Sequence, residues 1–264
     1  MLPNEEEQSA LCRQQHAELF RTCNRWLGLG VRFIRGLEKV QKSSVVVLLL
    51  FVKATKTFRS VLLMCERGLC ENAQVLLRVL TEILIDLKYI LRENIGRRSR
   101  GLVISSRLGQ EENFKRIRGN PKFKEYISEE AYQLVLAAAR EDRRVLGVPE
   151  GTKWGKVKKA LYERYDWRAE VAKRAANAEA SEWYDLIYSP TSRSVHNSDL
   201  TSYLEVPASN KPMLLRLSAS DEGVREVLEM ACLVYREAYD CVVRNPRINL
   251  RSGVRLRVPF RSRD

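Results

Sequence analysis

His196 is one of only two histidines in the 264-residue sequence, and it lies among hydroxyl side chains in the stretch YSPTSRSVHNSDL. If Ser189 caps a helix and Pro190 is its first residue, Ser192 and His196 are one turn apart on the same face. The start of a helix disfavours positive charge, so the imidazole would stay in the neutral form that a general base needs. The residue types leave two interpretations open, a catalytic base and a packing histidine with satisfied hydrogen bonds.

A second set of charged residues occurs in ENAQVLLRVLTEILIDLKYIL, residues 71–91, which otherwise has the pattern of an apolar helix. Arg78, Glu82 and Asp86 recur every four residues, so they form a stripe beside the apolar face rather than on the polar one. Charges at the edge of a buried face are costly unless they are paired. The stripe is therefore either an internal Arg78–Glu82 ion pair that locks two helices or the anionic wall of a pocket.

The two sets of residues can act together only if their helices meet. In that case Glu82, or Asp199 beyond the histidine, would accept a hydrogen bond from His196 and fix its tautomer. Ser192 would be a hydrogen-bond partner of the imidazole or a nucleophile activated by it, and alignment rather than spacing decides between these roles.

The net charge of +13 is concentrated in two segments. Residues 92–122 contain nine Lys and Arg against three Asp and Glu, and residues 244–264 contain seven Arg against one Asp. Clustered positive charge is typical of proteins that bind nucleic acid, RNA above all here, or another polyanion, although a solvated surface has the same composition. The cations predicted to contact phosphates are Arg97, Arg98, Arg100, Lys115, Arg116, Arg118, Arg255 and Arg257.

The supply of metal ligands is poor, because the six cysteines form no C-x-x-C pair and only two histidines are present. Neither a zinc site nor another cofactor is expected. The sequence also lacks the glycine-rich nucleotide loops and the nucleophile elbow of common enzyme classes. The most apolar run, residues 45–52, is too short to span a bilayer, and the acidic N-terminus is unlike a secretory signal. These features predict a soluble cytoplasmic protein without a transmembrane segment, its cysteines buried as free thiols.

Hydrophobic periodicity predicts an all-α helical bundle in a single domain, residues 1–243. Its centre is an antiparallel hairpin of two apolar helices, residues 45–67 and 71–94. Residues 97–121 have a looser pattern, which predicts a basic loop or a short helix on an excursion. The arginine-rich tail, residues 244–264, ends in alternating apolar and arginine residues that also fit an edge strand.

The charged and hydroxyl motifs together resemble a known family. The helix LLRVLTEILIDLKYIL is followed by KWGKVKKALYERYD and then by YDLIYSPTSRSVHNS, in which Tyr188, Ser192 and His196 form Y-x-x-x-S-x-x-x-H. Over residues 55–244 this set resembles an uncharacterised bacterial family of all-helical domains of unknown function. That resemblance implies a helical fold and no particular activity.

The set is also similar in outline to the HEPN superfamily of helical nucleases and toxins. Those proteins use an Arg and a His on one helix, usually with four to six residues between them, and often build the site at a homodimer interface. The resemblance implies Arg193 and His196 as the catalytic pair, Arg78 and Glu82 as supporting residues, and a homodimer. Only two residues separate Arg193 from His196, a spacing that still places both on one face of a helix.

Two functions therefore stay open. In the first, the chain is a metal-independent ribonuclease, a toxin or phage-defence effector in which His196 deprotonates a ribose hydroxyl and an arginine stabilises the phosphate. In the second, the chain is a non-catalytic nucleic-acid-binding or regulatory interaction module whose Arg78, Glu82 and His196 only stabilise the bundle. In either case Tyr188 and the acidic residues beside the cluster would serve binding. These acidic residues are Asp86 and Asp199.

Overall fold

The structure is a computed structural model of the chain. It describes residues 5–40, 44–195, 204–205, 214–215, 222–246, 248 and 250–252. The predicted all-α fold is confirmed, because most of these residues lie in helices and the strands are only two to four residues long.

The described helices are α1 (Glu5–Gln15), α2 (Ala17–Arg35), α3 (Val45–Glu66), α4 (Cys70–Arg92), α5 (Ile95–Gly119), α6 (Glu129–Leu146), α7 (Trp154–Tyr165), α8 (Val171–Asn177), α9 (Ser181–Trp183), α10 (Ser189–Val195) and α11 (Val224–Val243). A 3₁₀ turn spans Lys124–Tyr126, and a π-helical turn spans Tyr184–Tyr188. The described strands are β1 (Leu37–Val40), β2 (Leu204–Glu205), β3 (Leu214–Leu215) and β4 (Leu250–Ser252). Strand β1 pairs antiparallel with β4, and β2 pairs antiparallel with β3.

The chain divides into two compact units. The first comprises the described parts of residues 1–91 and 175–264, and the second comprises residues 92–174. The sequence patterns predict a single helical domain over residues 1–243, because no change of composition marks these boundaries. In the part of the chain that the structure describes, no helix is both long and apolar enough to cross a membrane.

The core of the first unit forms where α2, α3 and α11 pack together. Tyr235 on α11 is fully buried, with its ring stacked on that of Phe58 at 4.3 Å and its hydroxyl oxygen 3.0 Å from the hydroxyl oxygen of Thr55. A methyl group at Gly30 on α2 would lie 1.8 Å from the Tyr235 hydroxyl oxygen. Glycine at this position therefore lets α2 approach the ring.

Helices α3 and α4 begin and end within two residues of the predicted boundaries. They are joined by a short turn in which Gly68 has a φ of 68°, a conformation that glycine adopts without strain. The second half of α4, residues 83–91, is buried around nearly its whole circumference, whereas the first half is buried along one face. This buried helix carries the charged stripe.

The structure corrects the sequence prediction for residues 97–121. The loose apolar pattern predicts a basic loop or a short helix on an excursion, but almost all of this segment lies in the long, 25-residue helix α5. The helix starts with a side-chain cap, since the Asn94 side chain accepts a hydrogen bond from the backbone N–H of Arg97 at 3.2 Å.

The polar character of the buried face of α5 explains why the pattern is weak. Ile104 and Leu108 are buried there, but so are the charged residues Arg98 and Glu111. An apolar periodicity detects the buried Ile104 and Leu108 but not the buried charged residues of the same face. The rest is stabilised by ion pairs that a single sequence does not reveal.

The predicted edge strand of the arginine-rich tail falls on residues 254–258, outside the described residues. The described strand that precedes it is β4, in which Ser252 pairs with Leu37 of β1. Arg255 and Arg257, two of the predicted phosphate contacts, also lie beyond the described part of the chain.

The close approach of α2 to Tyr235 predicts opposite effects for two identical substitutions on one helix. Gly30→Ala should lower the free energy of unfolding by about 1–3 kcal/mol, because the buried ring has no room to move away from the new methyl group. Gly28→Ala, whose methyl group would meet only the Arg32 side chain at an ordinary 3.6 Å, should raise it by about 0.5–1 kcal/mol through helix propensity. Equilibrium urea unfolding measures both, and a stabilised Gly30→Ala protein would contradict this packing.

Candidate functional site

Arg78 of α4 contacts Tyr188, more than a hundred residues later in the chain. Its Nη2 donates a hydrogen bond to the Tyr188 hydroxyl oxygen at 2.9 Å, and its guanidinium carbon lies 4.8 Å from the centre of the Tyr188 ring. The same ring therefore offers a hydrogen-bond acceptor and a cation–π surface to one cation. This contact brings the charged stripe to the start of the segment that contains Ser192.

Helix α10 begins at Ser189, but the predicted N-cap role of Ser189 is wrong. Helix α9, the π-helical turn and α10 follow one another without a break, and Ser189 itself is helical, with φ −65° and ψ −48°. Pro190 has no N–H for the helical ladder, and the wider turn just before it accommodates that loss. Ser189 is therefore not an N-cap, and the helix-dipole argument for a neutral His196 does not apply.

The π-helical turn places two tyrosines together. Tyr184 and Tyr188 stack at 5.2 Å with an interplanar angle of 22°. The Thr191 hydroxyl donates to the carbonyl oxygen of Ile187 at 2.6 Å, which anchors the first turn of α10. A π-helical turn adds a residue to one turn and so redirects the side chains that follow, which is why such turns are frequent at functional sites. The sequence signal for this stack is the four-residue spacing of the two tyrosines in YDLIY.

Burial raises the pKa of Tyr188, and the negative charge of Glu82 raises it further, while Arg78 opposes both effects. The folded state therefore favours the neutral phenol, and the hydroxyl keeps its proton at neutral pH. Since the oxygen already accepts from Arg78, the hydroxyl proton is what Tyr188 can donate to another group.

In the described part of the chain the guanidinium of Arg78 donates a hydrogen bond to Tyr188, and the predicted Arg78–Glu82 ion pair is not among the contacts that the structure describes there. The Nε of Arg78 is buried and has no hydrogen-bond partner in the described part of the chain. A buried N–H without an acceptor is costly, and in native structures it commonly marks a position that water or a ligand completes. Arg78 thus keeps donor capacity beyond its bond to Tyr188.

The other predicted residues of this cluster divide into three groups. Glu82 is half-buried and Asp86 is buried, both on α4. Ser192 is half-buried on α10, one turn beyond Tyr188, whereas for Arg193 the structure describes only a place in the same helix. The remaining two, His196 and Asp199, lie outside the described residues.

The predicted phosphate contacts on α5 mostly bind groups of the second unit itself. Arg97 donates to the backbone carbonyl oxygens of Glu163 and Arg164 at 2.7 and 2.8 Å, which satisfies the last carbonyls of α7. Arg98, only 3% exposed, pairs with Glu93 and Asp166. These two cations stabilise the packing of α5.

Lys115 and Arg118 are also engaged. Lys115 pairs with Glu111 at 2.7 Å and with Glu150 at 2.9 Å, and Arg118 bonds to Glu129. The other two predicted phosphate contacts on α5 are exposed on the surface. They are Arg100, 5.7 Å from the ring of Tyr165, and Arg116, with a long 3.9 Å contact to Glu112.

The six cysteines are free thiols, four of them buried. The described residues contain no group of three or more His, Cys, Asp or Glu side chains that could hold a metal ion. At this site Arg78 offers hydrogen-bond donors and positive charge, and Tyr188 offers a proton.

The fold and this cluster define an all-helical protein with an arginine–tyrosine site between its central helix and a π-helical turn. The chain belongs to a family of unknown function, DUF5677, whose model matches residues 44–212. The match begins just before α3 and extends beyond α10, so it includes Arg78, Tyr188 and His196. The predicted membership of an all-helical family of unknown function is thus confirmed. No curated protein and no solved structure matches the chain.

The placement of the α5 cations predicts that two arginines of one helix differ in their effect on stability. Arg98→Met should lower the free energy of unfolding by about 3 kcal/mol, because Asp166 loses its buried partner. Arg116→Met, the same change at an exposed position of α5, should alter it by less than about 0.5 kcal/mol. Equilibrium urea unfolding of both variants checks this, and equal losses would contradict the structural role of Arg98.

Proposed function

We propose that the chain is a metal-independent ribonuclease, HEPN-like in outline, whose site combines Arg78 and Tyr188 with the segment that leads to His196. The observation that carries the proposal is the 2.9 Å hydrogen bond between Arg78 and Tyr188. It brings the charged stripe of the central helix to a tyrosine that precedes His196 by eight residues in the sequence.

The donor capacity of Arg78 supports a phosphate as the ligand. Its buried Nε lacks a hydrogen-bond partner among the described residues, and a planar guanidinium matches the oxygens of a phosphate. The Tyr188 hydroxyl, which keeps its proton, is a second donor beside it. Two donors at one place are what a phosphate needs as negative charge develops on its oxygens.

In the proposed reaction His196, in its neutral form, takes the proton of a ribose 2′-hydroxyl. The 2′-oxygen then attacks the adjacent phosphorus while the bond to the 5′-oxygen breaks. The products are a 2′,3′-cyclic phosphate and a free 5′-hydroxyl, which receives the proton from the imidazolium through water. Arg193 and Arg78 stabilise the pentavalent phosphate, and Glu82 orients the imidazole.

The ligand inventory of the sequence favours a reaction of this kind, in which the base and the cations are side chains. Two histidines and no C-x-x-C pair are a poor supply for a catalytic metal. An RNA-cleaving activity without a cofactor suits a toxin or a phage-defence effector, and the HEPN resemblance adds a homodimer to the proposal.

The proposal predicts cleavage of labelled RNA by the purified protein in the presence of EDTA. His196→Ala should slow cleavage by about 10²–10⁴-fold, the usual contribution of a general base. His16→Ala is the matched control, because His16 is the only other histidine and lies in helix-flanking sequence far from the site along the chain. It should leave the rate unchanged.

Three outcomes would overturn the enzymatic proposal: no cleavage by the natural sequence, equal cleavage by the His196→Ala protein, or cleavage that EDTA abolishes. If RNA is bound but not cleaved, the chain is a non-catalytic nucleic-acid-binding or regulatory module. The cluster around Arg78 then serves stability, and His196→Ala lowers the melting temperature without affecting binding.

A further inference from the structure

A third basic segment lies between residues 19 and 65 of the first unit. It contains nine Lys and Arg against a single acidic residue, Glu38, a surplus of eight. This surplus exceeds that of residues 92–122 or 244–264, each of which has six. Long apolar runs separate these cations along the chain, so the concentration of charge becomes visible only when α2 and α3 lie side by side.

Helices α2 and α3 line an open groove with a volume of about 500 Å³. Its lining includes the half-buried Leu27 and Val31 of α2, and three cations, Arg32 on α2 and Lys56 and Arg59 on α3. No carboxylate is among the described residues that line the groove. It is therefore a concave surface with apolar side chains in its lining and positive charge on both helices.

The three cations of this groove differ from those on α5. Arg32, Lys56 and Arg59 are exposed, and none of them forms an ion pair within the described part of the chain. The Arg32 guanidinium lies over α2 near Gly28, where an added methyl group would meet its Nη1 at 3.6 Å. The guanidinium of Arg32 therefore lies beside Gly28, which also lines the groove.

We propose that the α2–α3 groove binds the sugar–phosphate backbone of single-stranded RNA. Unpaired cations on both helices of a concave surface suit a chain of phosphates, which they neutralise with release of counterions. No aromatic side chain of the described residues lines the groove, so binding depends on charge and is independent of base sequence. An anionic membrane fits less well, because it needs an apolar face that protrudes rather than apolar side chains in the lining of a groove.

The test is fluorescence anisotropy with a labelled 20-nucleotide oligouridine, using the full chain with His196→Ala so that binding is separated from cleavage. The logarithm of the association constant falls linearly with the logarithm of the salt concentration, and each single-strand phosphate contact contributes about 0.7 to the steepness of this line. For the combined Arg32→Ala, Lys56→Ala and Arg59→Ala variant the line should therefore be less steep by about 2. The same slope change corresponds to about 100-fold weaker binding at 0.1 M salt.

A matched variant controls for net charge. Arg144→Ala, Lys159→Ala and Arg225→Ala remove three exposed cations that are each paired with a glutamate on their own helix. This variant should keep the parent slope and bind within about threefold of it. Both triple variants should retain the melting temperature of the parent, because all six side chains are on the surface.

Equal losses in the two triple variants, or no RNA binding by the parent, would overturn the groove proposal. So would binding to phosphatidylserine vesicles that depends on the groove while RNA binding does not. Because the assay uses a variant without the candidate base, a failure here leaves the result of the cleavage assay unaffected, and the converse also holds.

Discussion

The hydrogen bond from Arg78 to Tyr188 is the interaction on which the candidate site depends. Arg78 is half-buried on α4, beside the face that packs into the core, and its buried N–H groups are costly if they find no acceptor. Arg78 finds an acceptor in a tyrosine at the end of a π-helical turn. The bond therefore does two things, since it satisfies one donor of a cation on the central helix and joins that helix to the segment that contains Ser192. The Nε that stays unsatisfied is the donor that a phosphate would complete.

The sequence predicts α3 and α4 accurately because their buried faces are apolar, so periodicity and burial coincide. It fails for α5, where the buried Arg98 and Glu111 contribute to the packing through ion pairs that carry no periodic signal. The sequence predicts the charged stripe on α4, but it does not predict that Tyr188 is the hydrogen-bond partner of Arg78. Glu82 is four residues from Arg78, whereas the tyrosine that Arg78 contacts is 110 residues away. Long-range pairings of this kind require the fold.

Positive charge has two roles in this protein. On α5 the cations mostly bind carboxylates and carbonyl oxygens of the second unit. A count of charges there therefore overstates the number of cations that are available to a ligand. Along the α2–α3 groove the cations are exposed and unpaired within the described residues, although apolar runs obscure their surplus in the sequence. The family match includes Arg78 and Tyr188 but not α2. The arginine–tyrosine site thus lies within the matched residues, whereas the α2 side of the groove lies outside them.

The coupling between Arg78 and Tyr188 is measured most directly by a double-mutant cycle on the free energy of unfolding, with Arg78→Met, Tyr188→Phe and the double variant. Phenylalanine keeps the ring beside the cation, so the cycle isolates the hydrogen bond rather than the cation–π contact. The predicted coupling is about 1.5–3 kcal/mol, the range for a hydrogen bond to a charged group. Losses that add to within about 0.5 kcal/mol would contradict the role of this bond in joining α4 to the segment before α10.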